Sequence, residues 1–65
     1  MSSVRYCIPL PADLLQKACD NVSGFGDSWV TGWKDGQRCA WCKDDVTAAK
    51  IVLMTGTLME IIVDE

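Results

Sequence analysis

Apolar and polar residues alternate every second position in VRYCIPL (4–10), with Val4, Tyr6 and Ile8 on one side and Arg5 and Cys7 on the other, the mark of a strand. Pro9 and Pro11 end it. In PADLLQKACDNV (11–22) the period changes: Pro11 suits a first helical turn, Asp13 lies near the positive helix end, and Leu15, Ala18, Cys19 and Val22 recur at helical spacing. Ser23 and Gly24 stop this helix, with Gly24 suited to a left-handed cap.

Two further strands, SWVTGW (28–33) and QRCAWC (37–42), flank Lys34-Asp35-Gly36-Gln37. Asp35-Gly36 is a two-residue hairpin signal, because both positions accept positive φ. The turn fixes the pairing: Lys34 faces Gln37, Trp33 Arg38, Gly32 Cys39, Thr31 Ala40, Val30 Trp41 and Trp29 Cys42. DDVTAAKIVLMTG (44–56) reads as a second helix, N-capped by Asp44 or Asp45 and C-capped by Gly56, with Ala48, Ala49, Val52 and Leu53 inward and Ile51 and Met54 beside that stripe. LMEIIVDE (58–65) sets Met59, Ile61 and Val63 against Glu60, Ile62 and Asp64, a last strand.

The order strand, helix, strand, strand, helix, strand predicts a single α+β domain of the ferredoxin-like βαββαβ class, a four-stranded antiparallel sheet in spatial order 4-1-3-2 with two helices on one face. A simpler sheet with one or two helices across it is the competing arrangement. Sixty-five residues leave no room for a second domain, and 49% apolar with 23% charged residues is a globular balance. No run approaches the length of a membrane span and the start lacks a secretory signal, so a reducing cytosol and free thiols are expected.

Charge is uneven. Residues 1–43 hold Asp13, Asp20, Asp27 and Asp35 against Arg5, Lys17, Lys34, Arg38 and Lys43, a net of +1, whereas residues 44–65 hold Asp44, Asp45, Glu60, Asp64 and Glu65 against Lys50, a net of −4. That balance opposes direct nucleic-acid binding. With no histidine, no nucleophile and base pair, and no phosphate-binding glycine loop, catalysis is not expected, and no cofactor is implied.

Cys39 and Cys42 admit a redox or zinc-binding reading, with Cys7 and Cys19 as further ligands. Three-residue spacing along a strand sends the two sulfurs to opposite faces, and Asp44 and Asp45 disfavour a thiolate, so buried packing cysteines are the simpler reading. The acids form a second candidate. Strands 3 and 4 run parallel on either side of strand 1 in the expected topology, so Asp44, Asp45, Asp64 and Glu65 share one edge of the domain, where Asp27 joins them and Arg5 and Lys43 partly neutralise them. They act either as a helix cap and solvated tail or as a phosphate-like surface.

A third candidate is aromatic. If Val30, Cys39 and Trp41 face the helices, Trp29 and Trp33 emerge on the uncovered face beside Arg38, Glu60, Ile62 and Cys7, with Trp33 and Arg38 placed for a cation–π pair. The opposite assignment makes both tryptophans core.

In size, acidity, lack of catalytic groups and compact αβ pattern the chain resembles the small inhibitors that phages and mobile elements direct against bacterial immunity, in particular anti-CRISPR proteins of the class acting on type I-C systems. That resemblance implies a DNA mimic in the host bacterial cytosol that binds a protein partner with a basic nucleic-acid-binding surface, the crRNA-guided surveillance complex, and blocks target DNA. It assigns partner binding to Asp44, Asp45, Asp64, Glu65, Glu60 and Asp27. A monomer or weak homodimer is expected, since a small core and apolar Ile51 and Met54 leave stability to be gained by association.

Overall fold

The computed structural model describes residues 3–64, position 64 by its backbone alone. Its elements are β1 (Ser3–Pro9), α1 (Ala12–Asn21), β2 (Trp29–Lys34), β3 (Gln37–Cys42), α2 (Asp45–Thr55) and β4 (Glu60–Asp64). The strands form one antiparallel sheet in the order β2-β3-β1-β4, the ferredoxin-like arrangement, and both helices cover one face. Asp35 and Gly36 take φ of 52° and 78°, the positive values their turn requires, and all six expected β2–β3 pairs form.

Register was determined by the turn, but the choice of face was not. Trp29, Ala40 and Cys42 pack under the helices with Ile8, whereas Val30, Cys39 and Trp41 lie on the open face, the reverse of the assignment that exposed Trp29. Trp29 is fully buried, donates its Nε1–H to the Ser23 carbonyl at 3.3 Å and forms a T-shaped pair with Phe25 at 5.1 Å between ring centroids. The physical reason is room on each side. A Cβ at Gly32 would come within 2.7 Å of Trp41 Cδ1, so this indole lies across the open face in the space left by a missing side chain. Ala40, by contrast, is small enough to sit fully buried below the helices. Trp33 shares the helix side with Trp29 yet remains 63% exposed, and its expected partner Arg38 stacks over it at 5.0 Å.

α1 buries Leu15 and Ala18, with Val22 beyond its last turn, while Cys19 is half-buried. Its C-cap is Val22 in extended conformation, whose N–H bonds to the Ala18 carbonyl, so the helix ends before Gly24. Gly24 instead organises the following loop: at φ 91° its carbonyl accepts from Asp27 and Ser28.

α2 starts and stops as its sequence predicts, with Asp44 as N-cap and Gly56 as left-handed C-cap. Its rotation differs. Thr47, Ala48 and Ile51 are buried, Val52 and Met54 are half-buried, Ala49 is exposed and Leu53 is 85% exposed. Ile51 is therefore core, not surface. A helix that is apolar nearly all round contains several stripes at helical spacing, and the pattern gives no phase among them.

Truncation separates these stripes. Ile51→Ala should cost about 2–5 kcal/mol in urea unfolding, as a buried aliphatic side chain does, whereas Leu53→Ala should stay within about 0.5 kcal/mol. Gly32→Ala should destabilise by about 1–3 kcal/mol, because the Trp41 indole must leave its seat.

Candidate functional site

The acidic residues are positioned by the strand that lies between their two strands. β1 is antiparallel to β3 and to β4, so β3 and β4 run the same way, and Tyr6 is paired with Cys42 on one side and Ile61 on the other. From that common rung, Asp44 and Asp45 lie two and three positions onward along one path and Asp64 three positions onward along the other. Both paths end at one pole.

The loop before β2 reaches the same pole. Trp29 pairs with Cys42, and the Lys43 N–H donates to the Ser28 carbonyl at 3.1 Å, which ties the Asp27–Ser28 segment to the chain entering α2. Asp27, Asp44 and Asp45 are exposed there. Glu65 lies outside the described residues. Glu60 is placed differently: it pairs with Cys7, away from the pole, and its carboxylate meets Lys34 Nζ at 2.8 Å on the open face. That contact raises the Lys34 pKa, chiefly through the hydrogen bond to Glu60.

Asp44 has a structural duty as well. Its Oδ1 accepts from the Thr47 N–H at 2.7 Å, satisfying a free donor of the first helical turn, and this bond holds its carboxyl below the ordinary carboxylate range. The carboxylate is charged at neutral pH. Asp45, in the first turn of α2, points negative charge at the positive helix end.

The cysteines divide between faces. Cys42 joins the core under the helices, whereas Cys39 lies on the open face beside Cys7. Burial, then the hydrogen bond with Cys7, pushes the Cys39 thiol up to about 12; burial, then the Asp44 charge, pushes Cys42 up to about 11. Cys19 is raised by burial and by Asp20. All four are free thiols. The raised thiols of Cys19, Cys39 and Cys42 are weak nucleophiles, and a strand that parts Cys39 from Cys42 denies them a shared ligand. Among the described residues no three His, Cys, Asp or Glu side chains gather closely enough to hold a metal ion.

One arrangement escaped sequence reading. Arg5, Val30, Trp41 and Lys43 line a shallow open-face cleft of about 300 Å³, with the Arg5 guanidinium 4.8 Å above the Trp41 ring. Gly32 was its signal, since a glycine inside a strand marks close approach of another group. Comparison of the chain with protein-family models, curated proteins and solved structures found no match.

Two measurements follow. Native protein should react with a thiol reagent at the half-buried Cys19, while Cys7, Cys39 and Cys42 are labelled only on unfolding, as peptide mass spectrometry would show. Removing the cap by Asp44→Ala should lower Tm at neutral pH, with Asp44→Ser retaining most of it. Because folding depresses the Asp44 pKa, its stabilisation is complete above the unfolded-state value near pH 4 and is lost as pH falls through the folded value. The Tm gap between wild type and Asp44→Ala should therefore close on acidification below about pH 4.

Proposed function

We propose that this chain is a protein-binding inhibitor without chemistry of its own, which occupies the basic nucleic-acid groove of a partner through its acidic pole. The observation that supports the reading is the parallel course of β3 and β4 on either side of β1, which carries Asp44, Asp45 and Asp64 to one end of a small domain beside the Asp27 loop. Carboxylates fixed on a rigid scaffold compete with phosphates for Lys and Arg, which bind both through charge-assisted hydrogen bonds. Asp44 is held by its cap, so less ordering remains to be done on binding. Glu65 continues the acidic run in sequence, and Glu60, engaged with Lys34, is a peripheral member.

The partner class is that of anti-CRISPR targets: a crRNA-guided surveillance complex in the bacterial cytosol, blocked before it engages target DNA. The net charge of −3 favours such a basic protein surface over nucleic acid itself. The cysteine-based alternative draws no support from thiols held on opposite faces of β3.

Charge reversal tests the pole without removing the cap. Asp27→Lys combined with Asp45→Lys should weaken inhibition of DNA binding by a purified type I-C surveillance complex at least tenfold, with an unchanged circular dichroism spectrum. Wild-type binding should also weaken as salt rises. Full inhibition by the double variant would end the phosphate-mimic mechanism.

A further inference from the structure

β4 is an edge strand. β1 pairs with one side of it, and among the described residues no strand pairs with the other. Folded proteins blunt such edges with short strands, charged side chains (lysine above all), proline, a bulge or a cover, since an open apolar edge recruits another strand. β4 reads EIIVD: acids stand at its two ends, Glu60 and Asp64, but its centre Ile61-Ile62-Val63 holds no charge, lysine or proline, and it keeps an unbroken register with β1.

Nor is its side-chain face covered. α2 packs on β1 and β3, leaving Ile61 and Val63 on the helix side yet 58% and 57% exposed, with Leu58 exposed just ahead of the strand. Val46 and Leu53 are exposed on the outer side of α2, and a helix apolar all round is normally covered on more than one side.

We propose that β4 pairs antiparallel with β4 of a second copy of this chain, around a two-fold axis at Ile61, to form a continuous eight-stranded sheet. The axis stands normal to the sheet, so both helix layers lie on one side, and residues directly opposite one another share a face. Charge selects the centre. An axis at Ile62 sets Glu60 against Asp64 of the second copy, twice, and like charges directly opposite are destabilising. An axis at Ile61 sets Ile61 against its own equivalent, Met59 against Val63, and Glu60 against Ile62. Every helix-side pair is then apolar, and no acid faces an acid.

This segment is therefore self-complementary, the requirement of an isologous interface. A standard interface takes about 800 Å² from each partner, roughly a fifth of this molecule's 4217 Å² surface. The apolar positions that the seam would cover are the exposed Met59, Ile61 and Val63 of each copy. The proposal does not rest on the acidic pole, although Glu60 and Asp64 lie on the strand that it pairs.

Sedimentation equilibrium over a rising concentration series is the test. Wild type should move from 7.2 kDa toward twice that mass. Ile61→Lys, which puts two ammonium groups on the axis at an exposed position, should remain at 7.2 kDa with unchanged circular dichroism and Tm. Trp33→Lys, an exposed apolar site on the opposite edge strand, should associate as wild type does. Hydrogen exchange of wild type supplies a readout free of substitution: protection of the β4 amides should rise with concentration. A monomer at every concentration, assembly that survives Ile61→Lys, or β4 protection that ignores concentration would each overturn the proposal.

Discussion

The architecture depends on one strand serving two partners. β1 is hydrogen-bonded on both sides, to β3 and to β4, and each pairing is antiparallel. That constraint makes β3 and β4 parallel, although β1 lies between them in the sheet and 17 residues of loop and helix lie between Cys42 and Glu60 in the chain. Two features of the molecular surface follow from it: acids from both strands leave at one pole, and β4, attached through β1 alone, is left as an open edge. Ile8, fully buried on β1, anchors the same strand to the helix layer.

How much of this could be read beforehand varies with the kind of signal. Local chemistry was legible. Asp35-Gly36 fixed the hairpin to the residue, because only one pairing satisfies a two-residue turn with two positive φ values, and Asp44 and Gly56 marked α2 by the groups that helix ends leave unsatisfied. Helix phase and sheet side were not legible, since both depend on apolar contrast. β3 carries Cys39 and Trp41 on one side and Ala40 and Cys42 on the other, two apolar faces that alternation cannot rank. α2 offers the same ambiguity around its circumference, which is why Ile51 rather than Leu53 enters the core. The shape of the neighbours, above all the absent side chain at Gly32, decided what hydrophobicity did not.

The candidate site shows the same division. The pole shared by Asp44, Asp45 and Asp64 follows from topology, which the element order already implied, and the Ser28–Lys43 hydrogen bond adds the Asp27 loop to it. The Lys34–Glu60 pair was illegible, because its partners come from the two outermost strands and meet across the open face only when two long side chains and the course of the sheet are known together. Cys39 and Cys42 illustrate the opposite case, a suggestive spacing whose chemistry is removed by strand geometry alone.

The three tryptophans occupy three different surroundings: Trp29 sealed in the interior with its N–H on a carbonyl, Trp41 half-covered beneath a guanidinium, and Trp33 largely in water at the far end of β2. Each indole thus emits from its own polarity, and single-tryptophan versions of the chain would give separate optical views of the helix layer, the bare sheet surface and the hairpin tip during unfolding.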